Sequence, residues 1–191
     1  MNSTRTDYSL AVKKVFKITP YWVLGFVEGE GSFFIRKNAY YDLCFSLNQS
    51  VVDLALMKEL RTFLIEVLPI KYKAGSDYQR AVSLIGASSK LNSRDSISIW
   101  TGNKDYIKNV LIPFFDSMIW QSKKQWDYLD WKTILKIKEL GLHNTESGIK
   151  VINLIISQMN LRRLTTNFDK YPIVDREDLT RQVDELLNKG K

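Results

Sequence analysis

The large apolar residues follow two rhythms along the chain, one of three to four residues and one of two, and the switches between them mark out the elements. Thr19-Pro20 opens a helix, because a Thr side chain can accept from orphan amides and Pro at the first helical position gives up no hydrogen bond. That helix is predicted to end at Glu30-Gly31, with Gly31 in the left-handed capping conformation. Ser32 to Lys37 reads as a strand and 38–42 as a turn. Leu43 to Gln49 reads as a second strand, in which large apolar residues alternate with small or polar ones. Leu54, Leu56, Met57, Leu60, Phe63 and Leu64 recur at mostly helical spacing and predict a helix over 52–67, with Pro69 just beyond its end. Residues 71–86 and 95–101 predict two more strands around a polar loop at 87–94, and helical spacing returns at 104–111, 123–139 and 146–159. A loop around Pro172 precedes a short, charged, amphipathic helix at 177–187.

The order of helix, hairpin, helix, hairpin and helices predicts an α+β fold: an antiparallel sheet with its helices on one face. The organisation expected is an extension at 1–18, a domain at 19–162 and a tail at 163–191 that either docks on the domain or trails from it.

Charge adds a partner to this picture. The chain has 191 residues with 28 Lys+Arg against 21 Asp+Glu, a net charge of +7, which suits a polyanion such as nucleic acid. Hydrophobic residues at 45% are enough for a core and exclude a wholly disordered chain. One Cys and one His exclude an intrachain disulfide and a four-ligand zinc site. No run approaches the roughly 18 apolar residues that span a bilayer, and the opening segment lacks the apolar centre of a secretory signal. A soluble protein with no membrane partner is expected.

The stretch Tyr21 to Phe33 carries the most chemistry. Glycines inside a helix cost about 1 kcal/mol each relative to Ala unless something must come close. Gly25 and Gly29, four residues apart, share one face and would let a near-copy of this helix approach backbone to backbone; a Gly-rich buried helix in a monomer is the other reading. Glu30 stands in the last turn, where the helix dipole disfavours a carboxylate by about 0.3–1 kcal/mol. A divalent cation shared between two such helix ends would neutralise it, and carboxylate plus phosphate oxygens are what Mg²⁺ prefers.

The run VLGFVEGEGSF resembles the signature of the LAGLIDADG homing endonuclease and intron maturase family, with Val23 to Gly31 matching position by position. The resemblance continues through the strand ending at Gln49, through Ile112-Pro113-Phe114, Ser122-Lys123-Lys124 and the turn at His143 to Gly148. It implies the family's saddle of antiparallel strands in an αββαββα order. It also implies Glu30, with Gly29 beside it, as the metal-binding position, Glu28 as a structural acid, and Gly25, Gly29, Trp22 and Phe26 as the surface where two signature helices meet. Gln49 resembles an active-site residue that positions solvent, and Lys123 the basic residue near the scissile phosphate, with Lys124 as the alternative. Candidate DNA contacts on the strands are Arg36, Lys37, Ser46, Asn48, Lys71, Lys73, Arg80, Ser83, Ser98 and Trp100. His143, just before the helix-capping Thr145, is read as a turn or packing residue, and Cys44 as a small strand residue.

One signature where a complete active region needs two implies a homodimer on a near-palindromic site. The activity implied is Mg²⁺-dependent hydrolysis of double-stranded DNA at a specific sequence. An RNA-binding intron maturase or non-cutting binder of the same fold is the alternative, as is one half of a two-signature protein. Group I intron proteins of this kind point to the mitochondrion, ahead of the chloroplast.

Overall fold

The computed structural model describes residues 17–36, 40–72, 78–87, 95–160 and 174–189. The first helix, α1 (Pro20–Glu30), starts as expected: Thr19 is extended and its hydroxyl accepts from the Trp22 amide at 3.3 Å. Its end differs. Gly31 is extended (φ −74°, ψ 147°) rather than left-handed, because the helix passes directly into β1 (Gly31–Arg36). Glycine is needed there for room, since a Cβ would lie 2.5 Å from the Val27 carbonyl oxygen and 2.8 Å from its Cγ1.

Strand β2 (Asp42–Ser50) pairs antiparallel with β1, and β3 (Ser83–Ala87) pairs with β4 (Ser96–Thr101). The inner strands β2 and β4 join the two hairpins into one sheet of order β1-β2-β4-β3. Tyr41, just before β2, has a positive φ of 49°, and the Lys138 ammonium donates to its carbonyl at 3.0 Å.

Between the hairpins the chain runs through α2 (Leu54–Thr62), a π-helical turn at Phe63–Val67 and α3 (Leu68–Lys71). Pro69 therefore does not stop the helix. The π turn inserts one extra residue, so that Leu68 N–H bonds the Phe63 carbonyl five residues back, and the proline follows without a clash against the preceding turn. The same device recurs after β4: α4 (Lys104–Tyr106), a π turn at Ile107–Leu111, and α5 (Ile112–Asp116), which carries Pro113. The carbonyl of Leu64, which residue 69 would reach if it had an N–H, accepts instead from the Tyr106 hydroxyl at 2.8 Å.

This geometry corrects the strand expected over 71–86. Lys71 ends a helix, and the described residues 78–82 form a turn held by Arg61, whose Nε and Nη2 donate to Val82 O (2.8 Å) and Gln79 O (2.7 Å). The strand begins only at Ser83.

The remaining helices are α6 (Lys124–Glu139), α7 (Glu146–Gln158), whose first turn is capped by the Thr145 hydroxyl, and α8 (Arg176–Lys189). The tail helix docks: Leu179, Leu186 and Leu187 are buried, and Arg176 lies 2.6 Å from the buried Asp130 carboxylate and over the Trp126 ring. The core lies between helices and sheet, with Phe33 in ring contact with Phe45, Phe115, Trp120, Tyr128 and Trp131. Among the described residues no helix is long and apolar enough to cross a membrane.

Candidate nucleic-acid interface and active end

Strict alternation along the strands gives the sheet two unlike faces. Phe33, Ile35, Phe45, Leu47, Ile97 and Ile99 point into the core. Residues of the opposite parity face away from the helices, and the register aligns them in rows across the sheet. Ser46 pairs with Trp100 and Trp100 with Ser83; Asn48 pairs with Ser98 and Ser98 with Ile85. Arg36, at the exposed end of β1, lies over the Trp100 ring at 5.5 Å, a cation–π contact that holds its guanidinium across the sheet. Ser98 donates to the Asn48 side-chain oxygen. Ser46 and Cys44 belong to the same face but are buried there, and burial pushes the Cys44 thiol's pKa up.

Arg36, Ser46, Asn48, Ser83, Ser98 and Trp100 are thus brought onto one face, five of them with side chains open at least in part. Lys71 and Arg80 are not: the first ends α3 beside the Tyr72 ring, and the second is exposed in the turn before β3. Lys37 and Lys73 lie outside the described residues. Phe34 and Ile85 share the open face and were missed; parity counted from Phe33 and Leu84 would have found them.

The exposed side of α1 is the second feature. Trp22, Gly25, Phe26 and Gly29 fall at successive steps of three, one and three, along one stripe of the helix, while Val23, Leu24 and Val27 are buried on the other side. Trp22 and Phe26 stack with centroids 5.2 Å apart and planes 12° apart. A Cβ built on Gly25 or Gly29 meets nothing within 4 Å, so the described residues of the single chain give neither glycine a reason to be small. A helix apolar on both sides calls for a second partner.

The two acids of the signature part company. Glu28 Oε1 accepts from the backbone amides of both Gln121 and Ser122, each at 2.7 Å. Glu30 is exposed at the last position of α1 and, among the described residues, has no hydrogen bond or ion pair. The turn that Glu28 grips leads straight into Lys123, the exposed residue preceding α6. Lys124 is mostly buried, with its ammonium 3.7 Å from the Asp127 carboxylate, so of the two lysines only Lys123 faces solvent. Gln49 lies two residues beyond the last β1–β2 pair, at the sheet end where α1 enters. It has the parity of Leu47 rather than of Asn48, is half-buried, and its Oε1 accepts from the Ser50 amide. Gln49 therefore stands apart from the open face.

Among the described residues no group of three His, Cys, Asp or Glu side chains gathers to hold a metal ion. Glu30 fits a hard divalent cation as one oxygen donor, since its carboxylate is exposed and unengaged among the described residues. His143 lies in the short helical turn Leu142–Asn144, away from this end of the molecule in sequence. Burial, with Lys138 and Lys104, holds its pKa below the ordinary imidazole value.

The family model described as LAGLIDADG endonuclease matches residues 23–135. An uncharacterized mitochondrial protein, RF1, of Saccharomyces cerevisiae is 28% identical over 162 residues, covering 80% of this chain and 33% of that protein. The probable intron-encoded endonuclease 3 of Neurospora crassa is 28% identical over 148 residues, 74% of this chain and 24% of its own length. The chain thus spans a third or less of these two relatives. Among solved structures, the homing endonuclease I-TnaI aligns with a TM-score of 0.57 at 23% identity over 90% of this chain and 99% of that one. Meganuclease I-SmaMI bound to uncleaveable DNA aligns with a TM-score of 0.56 at 25% identity over 74% of this chain and 45% of that one. With the signature on α1, the two-hairpin sheet and a family match across more than half its length, the chain belongs to the LAGLIDADG endonuclease family.

Proposed function

We propose that this chain is a site-specific double-strand DNA endonuclease that works as a homodimer, with one signature helix and one open sheet face per half-site. The observation that carries the reading is the pairing of an unengaged Glu30 with a glycine stripe that no described residue covers. A second copy, packed along that stripe, brings two Glu30 carboxylates to one place. The open sheet face lies in a major groove, whose width admits strands, and Arg36 and Asn48 reach base edges there. Residues 19–162 form the working unit, with α8 as a docked strut, and the mitochondrial and intron-encoded naming of relatives supports an organellar site of action.

Glu30, with the backbone at Gly29 beside it, would hold Mg²⁺. When bound, such an ion lowers the pKa of water and stabilises charge on the attacking and leaving oxygens. Lys123 places an ammonium against the scissile phosphate and stabilises the charge that builds on it. Gln49 orients solvent at the sheet end.

The test uses duplex DNA carrying the uninterrupted host gene, with and without Mg²⁺. Wild-type protein is expected to cut both strands at one site, and Glu30→Gln to bind that site without cutting it. Full cleavage by Glu30→Gln removes Glu30 from the reaction, and binding of intron RNA in preference to DNA favours the maturase.

A further inference from the structure

We infer that Glu28 is a positioning residue which fixes Lys123 relative to Glu30, an inference that rests on the endonuclease reading above. One carboxylate oxygen takes two backbone N–H bonds at 2.7 Å, from Gln121 and Ser122, and these amides are supplied by a segment distant in sequence. Bonds to a charged acceptor are shorter and stronger than neutral ones. Glu28 lies between the carbonyl end of α1, which repels a carboxylate, and the approach to the amide end of α6, which attracts one. The contact thus joins two helix ends of opposite polarity.

The turn is fastened on its other side as well. The Ser122 hydroxyl accepts from the Lys124 amide (3.3 Å) and its carbonyl from the Gln125 amide (3.2 Å), while the Lys123 carbonyl accepts from Trp126 N–H at 3.0 Å. Lys123 thus follows directly on two residues tied to α1, its own carbonyl is bonded by α6, and its side chain is exposed. Glu28 and Glu30 are two residues apart on one helix and point to different sides of it, so the helix that presents Glu30 outward also grips the Lys123 turn. The backbone that carries Lys123 is therefore tied to the helix that carries Glu30 rather than left to a free loop.

The test compares Glu28→Ala and Glu28→Gln, the second keeping an oxygen acceptor, alone and combined with Lys123→Met. Single-turnover cleavage of bound DNA should fall by about tenfold or more in Glu28→Ala while the Kd for DNA changes by less than about twofold, and Glu28→Gln should recover most of the rate. In the Lys123→Met background, Glu28→Ala should cost less than about twofold, since residues acting through one another are not additive. Full additivity, or a Gln variant no better than Ala, overturns the inference. Amide hydrogen exchange on the protein without DNA is the readout independent of activity. The Gln121 and Ser122 amides should exchange faster in Glu28→Ala than in wild type, and unchanged protection of both overturns the inference even where cleavage is lost. Failure of wild-type protein to cleave counts against the endonuclease reading alone, and the exchange measurement then decides the Glu28 contact. Where Glu28→Ala does not fold, Glu28→Met, of similar length and without an acceptor, takes its place.

Discussion

Tyr106→Phe removes one oxygen atom, and the structure says what that oxygen holds. Pro69 has no N–H, so the Leu64 carbonyl, five residues earlier in the π turn, has no backbone donor from that position; the Tyr106 hydroxyl reaches it at 2.8 Å from the other hairpin's helix. Tyr106 is fully buried and Leu64 nearly so, which keeps water from replacing the lost donor. Leaving a buried carbonyl unsatisfied costs about 1–3 kcal/mol. With a urea slope of about 2 kcal/mol per molar, the unfolding midpoint should move down by about 0.5–1.5 M. Burial, with Tyr78 nearby, pushes the phenol's pKa far up, so the donor persists across the working pH range and the loss should not vary with pH. Pro69→Ala restores a backbone N–H at the position facing Leu64, so it should cost less in the Tyr106→Phe background than in the native one. Equilibrium urea unfolding of the four proteins measures both effects. A Tyr106→Phe loss below about 0.5 kcal/mol, or no coupling to Pro69→Ala, would refute the account of the π turn.

Gly25→Leu and Gly29→Leu should abolish the dimer in sedimentation while leaving the monomer folded and no less stable, because a Cβ at either position meets nothing within 4 Å among the described residues and the helical cost of glycine is removed; an intact dimer would remove α1 from the interface. Arg36→Ala should cost about 1–3 kcal/mol of specific DNA affinity and relax preference at one base pair, whereas Arg80→Ala, off the sheet face, should weaken binding evenly across sequences; anisotropy titrations against single-base site variants separate the two. His143 has a folded pKa below its unfolded value of 6.5, so the unfolded chain binds the proton first. Stability should accordingly fall as pH drops below about 6.5 and level off beneath the folded pKa, and in His143→Gln that decline should shrink; an identical pH profile for both proteins contradicts it.

What the sequence disclosed and what it hid follow from how local each cause is. Period-two alternation at 43–49 and 96–101 marks strands because one face of each meets the core and the other does not. The signature on α1 could be read because its glycines and acids are consecutive in the chain. Pro69 misled because proline is a stop signal only for a helix with regular spacing, and nothing local announces a π turn. The strand drawn over 71–86 failed for a distant reason: Arg61, in a helix, binds the carbonyls of 79 and 82 and makes a turn of them. Glu28 was legible as a structural acid but not its partners, which lie in a segment that only the fold brings to it. Which of Lys123 and Lys124 faces solvent could be read only with Asp127 in place beside the second.

The proline that follows a π turn occurs once after each hairpin, and this repetition bears on how the chain folds. Each half is a hairpin leading to a helix with a π turn, built from contacts near in sequence, and such contacts form early because little loop entropy opposes them. The halves meet along β2 and β4, the pairing that spans the longest loop in the sheet, and at the Tyr106–Leu64 bond. Assembly then has two local steps and one long-range closure, and the closure sets the barrier. Substitutions within a single hairpin, formed before the barrier, should mainly slow folding, while those along the β2–β4 seam should divide between slower folding and faster unfolding.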